Sequence, residues 1–252
     1  MRDGLIHTDN VRKGLMAIQD LKRQPLSGTG RNMVALEGLT GRGKTLFSEF
    51  YAVQDPDCLY LEADENWTPS WLLRDVAEGL GLPRAHSSET NKRAIVESQR
   101  QREAQGLPPR LLLIDEATRI LPARLLETVR GLHDKARLPI VLAGESGFWG
   151  AIFRKSPRFA DRVSQVVTFG DVNVQDIEAA AEQLADLKLP QATAVQIQRQ
   201  AGGNFRRAAK IVAELERVLK ANPGEVTNAK VDLAIRNLQL TEAREIRKRA
   251  VA

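Results

Sequence analysis

The chain has 252 residues, 42% of them hydrophobic and 27% charged, a balance that suits a globular core with a smaller appended domain and excludes a disordered or fibrous protein. No apolar run reaches the roughly 20 residues of a membrane span, no signal-peptide core opens the sequence, and a lone cysteine, Cys58, leaves no partner for a disulfide, so a cytoplasmic protein away from membranes is expected. The net charge of +5 permits a polyanionic partner without requiring one, and an aromatic content of 5% argues against an extended base-stacking platform.

Thr8 or Asp9 can cap a first helix in which Val11, Leu15, Ile18 and Leu21 recur at helical spacing, and Pro25, Gly28 and Gly30 break it. Residues 33–36 read as a short buried strand running straight into a glycine-rich loop. A helix is predicted from Lys44, carrying Leu46, Phe47 and Phe50, and residues 58–61 form the next strand. Thr68-Pro69 is a cap followed by proline at the first helical position, so a helix runs from there through Trp71, Leu72 and Val76 to Gly79 or Gly81. The polar stretch 86–105 permits a helix but offers little to bury, which predicts an exposed helix or a mobile surface element; Pro108 and Pro109 end it.

Residues 111–114 are continuously apolar, the pattern of a strand covered on both faces. Residues 121–132 read as helix, 140–143 as strand, 148–153 as helix and 163–169 as the last strand. Strands alternating with helices predict a parallel α/β sheet of five strands with right-handed crossovers. After Gly170 the pattern changes: residues 177–187, 192–201, 205–219 and 226–238 all read as helix, with no strand candidate between them. The expected organisation is therefore an N-terminal helical segment (1–30), an α/β core (31–170), a helical domain (171–240) and a tail (241–252) made basic by Arg244, Arg247, Lys248 and Arg249.

Gly38-Leu39-Thr40-Gly41-Arg42-Gly43-Lys44-Thr45 matches the P-loop pattern at every fixed position. Its glycines let successive backbone N–H groups turn inward around phosphates, and the following helix adds its positive end. Lys44 would reach the β- and γ-phosphates of ATP, and the Thr45 hydroxyl would bind Mg2+. Asp115, at the tip of the buried 111–114 strand, is suited to the magnesium shell. Glu116 beside it is placed to polarise the attacking water, favouring hydrolysis over transfer to a substrate.

Several further residues carry two readings. The strand 140–143 ends at Gly144-Glu145-Ser146, where Glu145 is either a γ-phosphate sensor or an ordinary loop residue. Arg154, Arg158 and Arg162 precede the last strand: one can act in trans as an arginine finger, Arg158 and Arg162 ahead of Arg154, or they form a solvated basic face. In Gly202-Gly203-Asn204-Phe205-Arg206-Arg207 a glycine turn meets a helix start, and Arg206 is the better placed of two arginines to report the γ-phosphate. Trp67 and Trp71 either pack the helix between them or stack on bases. His7, His86 and His133 have no ligand spacing, and the residues offer no nucleophile triad.

This layout resembles the AAA+ ATPases, with a P-loop strand, an Asp-Glu strand, a sensor strand and an arginine-bearing helical lid. More narrowly, Asp9-Asn10-Val11-Arg12, Gly41-Arg42-Gly43-Lys44-Thr45, Trp67-Thr68-Pro69-Ser70-Trp71-Leu72-Leu73, Ile114-Asp115-Glu116-Ala117 and Pro157-Arg158-Phe159-Ala160-Asp161-Arg162-Val163 are similar to the target-selecting ATPases of DNA transposition, the family of the Mu phage B protein, TniB and TnsC. The similarity spans about residues 8–215. It implies ATP-dependent self-assembly into a helical filament or ring on double-stranded DNA, nucleotide held between neighbouring subunits, and recruitment and stimulation of a transposase, with hydrolysis dismantling the assembly. It also implies that Asn10 and Val11 lie near the adenine. The Mu protein's N-terminal helix-turn-helix domain has no counterpart expected in this sequence.

DNA contacts of this kind would be to phosphates and strongly salt-dependent. One expected surface is the polar segment with Lys92, Arg93, Arg100 and Arg102; another is the segment with Arg119 and Arg124. The basic tail can contact DNA, transposase or nothing. The nearest alternative is a helicase loader or replication initiator of the same superfamily. A scaffold with negligible hydrolysis and a small-molecule P-loop kinase are further alternatives, the kinase disfavoured by Glu116 and the helical domain.

Overall fold

The computed structural model describes residues 6–24 and 30–251, with side chains to Arg244. Pro25 and Gly28, and the side chains of Arg247, Lys248 and Arg249, lie outside the described residues. The chain divides into two compact units: one is made of the described parts of Lys13–Leu39 and Lys44–Phe169, the other of Met1–Arg12, Thr40–Gly43 and Gly170–Ala252.

The first unit holds a five-stranded parallel sheet built from β1 (Met33–Gly38), β2 (Cys58–Glu62), β3 (Leu111–Asp115), β4 (Ile140–Glu145) and β5 (Val163–Thr168) in the order β2-β3-β4-β1-β5. Helix α1 is Asp9–Arg23, and α2 (Lys44–Gln54), α3 (Pro69–Gly79), α4 (Ser88–Ala104), α5 (Ala123–Ala136), α6 (Phe148–Lys155) and the single turn α7 (Pro157–Ala160) flank the strands. Every residue of β3 is buried, as is every residue of β4 except Glu145, whereas the outer strands β2 and β5 are half exposed. Continuous apolar runs therefore mark the strands covered on both faces. Each buried leucine or isoleucine of β3 contributes about 1.5–3 kcal/mol of hydrophobic stabilisation.

The cap at α3 forms as the residue types dictate. The Thr68 hydroxyl accepts the Trp71 N–H and Pro69 opens the helix. The two tryptophans then part: Trp67 is buried and its indole donates to Asp75 (2.8 Å), while Trp71 is half exposed with Arg74 over its ring.

Segment 86–105 is a helix, the first of the two forms expected, but one face of it is buried. It forms the 17-residue α4, and Asn91, Ile95 and Gln99 make a buried stripe one turn apart. Two of those three are amides; both ends of Asn91 are satisfied, whereas only the oxygen of Gln99 is, its Nε2 being buried without a partner among the described residues. The Asn91 amide exchanges hydrogen bonds with the backbone of Ala85 (3.0 and 3.1 Å), and Gln99 accepts from the Arg110 N–H. Arg102 completes the anchoring on Asp57 at 2.7 Å. Apolar periodicity cannot reveal a face buried through amides.

In the second unit, α8 (Val174–Ala185), α9 (Gln191–Ala201), α10 (Phe205–Ala221) and α11 (Asn228–Val251) pack around Ile177, Ile197, Ile211, Val212, Leu215 and Val231. Asn173 and Asp176 form a reciprocal capping box at the start of α8, and Asp176 also accepts the Asp9 N–H (2.9 Å). The α11 backbone continues through the basic tail. Among the described residues no helix is long and apolar enough to cross a membrane.

Candidate nucleotide-binding site

β1 ends at Gly38 and α2 begins at Lys44, so the P-loop motif spans a strand end, a loop and a helix start. Gly41 and Gly43 have φ of +82° and +91°, conformations open to glycine and strained for other residues. The first N–H groups of α2 lack helical acceptors, as at any helix start, and are the donors that a phosphate would take up. The Lys44 ammonium donates to the carbonyls of Gly38 (2.7 Å) and Leu39 (3.2 Å), which folds its side chain back over the loop.

Asp115 closes β3 and is 2% exposed. One of its oxygens accepts the Glu116 N–H (2.8 Å), and the other faces the Tyr60 hydroxyl at 3.5 Å from the neighbouring strand β2. Burial, together with the carboxylates of Asp115, Glu49 and Glu62, raises the Tyr60 phenol far above its usual range, so Tyr60 remains a donor. Glu116 is half-buried with φ +49° and ψ +33°, a left-handed conformation that costs a non-glycine residue about 1–3 kcal/mol. Glu145 ends β4 in register with Gly38, and its N–H donates to the Thr118 hydroxyl (3.0 Å) in the 3-10 turn Ala117–Ile120. The structure thus brings Gly38, Glu145 and the Asp115–Glu116 pair to the carboxyl ends of neighbouring strands, the edge where open α/β sheets bind ligands.

The loop tip, Thr40–Gly43, belongs to the helical unit. Arg42 is 8% exposed; it pairs with Asp171 at 2.5 Å and donates to the Gly202 carbonyl (3.3 Å). Asn204, the N-cap of α10, donates to the Thr40 carbonyl (3.4 Å), and the Arg206 N–H donates to the Gly41 carbonyl (3.3 Å). The Arg206 side chain itself is exposed. Asn10 is buried and spends both ends of its amide on Gly170, donating to its carbonyl (3.0 Å) and accepting its N–H (2.9 Å); Val11 beside it is buried. Asp171 had no signal in the sequence, because it stands far along the chain from Arg42 and follows no motif.

Arg158 and Arg162 separate in character. Arg162 donates twice to Asp134 (3.1 and 3.2 Å) and once to the Arg158 carbonyl, whereas Arg158 and Arg154 are exposed. Burial works to raise the Asp134 carboxyl, but hydrogen bonds from Arg162 and His133 outweigh it and hold the group below its usual range. His133 accepts the Asn32 N–H at Nε2 (3.4 Å) and so carries its proton at Nδ1, toward Asp134 (2.9 Å); burial lowers its pKa.

The basic residues expected to meet DNA do not form one cluster. Arg93 is paired with Glu89 on the exposed face of α4, Lys92 is half-buried against α5, and Arg102 is tied to Asp57. Arg119 donates to the Ala63 carbonyl (2.6 Å) and lies near Glu62 and Glu65, while Arg124 and Arg100 are exposed.

Sheet order, phosphate loop, buried aspartate with its adjoining glutamate, and a helical C-terminal unit define an AAA+ ATPase. A family profile described as an AAA domain matches residues 27–152, half of the chain, and the chain belongs to that family. No curated protein matches it. Among solved structures, the fold is similar to the Aeropyrum pernix ORC2 protein in ADPNP and ADP complexes, with TM-score 0.63 and 18% identity over 92% of this chain and 72% of that one. It is also similar to the A. pernix ORC1 protein in complex with DNA, with TM-score 0.62 and 16% identity over 94% and 66%. The Thermotoga maritima RuvB Holliday junction branch migration motor gives TM-score 0.59 and 19% identity over 92% and 70%. The chain thus spans about two thirds to three quarters of the length of these proteins.

Proposed function

We propose that the protein is a DNA-stimulated ATPase that assembles on duplex DNA with ATP, selects a transposition target, recruits and stimulates a transposase, and is released by hydrolysis. The observation that carries the hydrolytic part is the strained, half-buried Glu116 next to a buried Asp115 at the sheet edge that holds the P-loop. The Thr45 hydroxyl and the buried Asp115 carboxylate would hold Mg2+, which would supply neutralisation of charge on the nucleotide phosphates. The fit is good, since magnesium takes one or two carboxylates and completes its shell with water and phosphate oxygens. Lys44 and the loop N–H groups bind the β- and γ-phosphates. Glu116 orients water in line with the γ-phosphate and draws on its proton. Arg206 reports the γ-phosphate, and Arg158 is the arginine offered to a neighbouring subunit, because Arg162 is committed to Asp134. Glu145 reaches the γ-phosphate through water, as direct contact between two anions would repel.

The transposition reading draws on the Asp9-to-Arg12, Trp67-to-Leu73 and Pro157-to-Val163 sequences. Exposed Arg93, Arg100 and Arg124 then supply phosphate contacts, with Lys92 and Arg119 contributing. A replication-initiator role is the second reading, favoured by the fold's similarity to an ORC1 protein in complex with DNA.

Electron microscopy of the protein with duplex DNA, comparing a non-hydrolysable ATP analogue with ADP, tests the proposal. Triphosphate-dependent filaments coating the DNA, with a transposase whose activity they raise, are expected. Closed rings or isolated particles that leave the DNA bare would favour the initiator or loader reading.

A further inference from the structure

Resting on that nucleotide-site reading, we infer that Asp171 is a positioning residue: by latching Arg42 it fixes Arg206 against the phosphate loop and withholds the Arg42 charge from the nucleotide. Arg42 is the one P-loop cation besides Lys44, and its guanidinium is almost wholly buried. A buried guanidinium requires a charged partner, and among the described residues Asp171 supplies it, at 2.5 Å, while the Asp171 side chain remains 71% exposed.

The surroundings are shaped to this pair. A Cβ on Gly203 would stand 2.4 Å from the Asp171 carboxyl carbon, and a Cβ on Gly41 would stand 2.2 Å from the Asn204 amide. Both glycines therefore let three chain segments close on one another: the loop tip, the stretch after Gly170, and the turn before α10. The Val172 N–H donates to the Gly203 carbonyl (3.1 Å), Arg42 to the Gly202 carbonyl, Asn204 to the Thr40 carbonyl and Arg206 N–H to the Gly41 carbonyl. Asn204 at the same time caps α10 through the Arg207 N–H (3.0 Å). The first turn of α10 is thereby referenced to the loop tip, and Arg42–Asp171 is the one charged link in the set.

Two effects follow, both acting on discrimination between tri- and diphosphate. Without the carboxylate, Arg42 is free to attract any phosphate, which raises affinity for diphosphate as much as for triphosphate. Arg206, which meets only a γ-phosphate, loses its fixed reference. The latch therefore separates ATP from ADP rather than strengthening nucleotide binding as such.

Dissociation constants for a non-hydrolysable ATP analogue and for ADP, measured by calorimetry on the full chain, test this. In Asp171→Asn the preference for triphosphate should fall by about 5-fold or more, the lower end of common coupling strengths, with ADP bound at least as tightly as by the wild type. Gly203→Ala, which crowds the carboxylate without altering its charge and also strains the turn at φ +71°, should do the same, and Asp171→Glu should restore the preference. Thermal melts run alongside distinguish a structural role: a lower melting temperature with both constants moving together overturns the latch. An unchanged preference in both variants, with wild-type binding intact, overturns it as well and leaves the nucleotide site standing. A wild type that binds neither nucleotide, or binds both equally, overturns latch and site reading together.

Discussion

Asn10→Ala isolates a residue whose two possible roles leave opposite signatures. Its amide makes two hydrogen bonds to the backbone of Gly170, across 160 positions of sequence, from a side chain 4% exposed. Removing it leaves one N–H and one carbonyl of Gly170 without protein partners. At about 0.5–1.5 kcal/mol for each bond, the loss is roughly 2 kcal/mol. For a chain of this size that corresponds to about 4–8 °C in melting temperature. Asn10→Asp should do worse, since the carboxylate still accepts the Gly170 N–H but sets a buried negative charge against the Gly170 carbonyl. The assay is a thermal melt by circular dichroism with a parallel nucleotide titration. An unchanged melting temperature combined with lost nucleotide affinity would refute the reasoning and return Asn10 to the adenine contact that the family resemblance implies.

Glu116→Gln should retain ATP binding while turnover falls by about 10²–10⁴; phosphate release at wild-type rate would remove Glu116 from the chemistry. Arg158→Ala should lower ATPase activity by about 10³–10⁵, and mixing it with Glu116→Gln subunits should recover part of that activity, because each supplies what the other lacks. Arg162→Ala should instead lower the melting temperature, by releasing Asp134; a larger loss of turnover than in Arg158→Ala, without destabilisation, would exchange the two roles. Stability should also fall with pH in two separate ranges. His133 titrates lower in the folded chain than in the unfolded one, so its contribution is complete above the unfolded value near 6.5 and is lost as pH drops through the lowered folded value. Asp134, and Asp55, whose carboxylate accepts from the Lys22 ammonium and the Tyr51 hydroxyl (2.9 Å), are both held below their ordinary range and lose theirs only at more acidic pH, below about 4. In His133→Gln the upper step should vanish from pH-dependent melts, and its persistence would place the titration elsewhere.

Much of this protein is legible in one dimension because the determinants are local. Fully apolar runs mark β3 and β4, since only a strand covered on both faces can afford them, and Thr68-Pro69 or the P-loop glycines act within a few residues of themselves. Motif order along the chain, from P-loop to Asp115–Glu116 to Glu145 to Arg206, already implied an ATPase. Tertiary structure decided the rest, through pairings whose members are ordinary residues in isolation. Asn91 and Gln99 look like solvent-facing polar positions until Ala85 and Arg110 meet their amides. Arg158 and Arg162 are equivalent on paper, and a bond to Asp134 from another helix separates them. Asn10 turns out to hold Gly170, and Arg42 to answer Asp171, 129 positions away along the chain. A charge or amide makes a definite contribution only once its partner is known, and for these residues the partner is supplied by the fold.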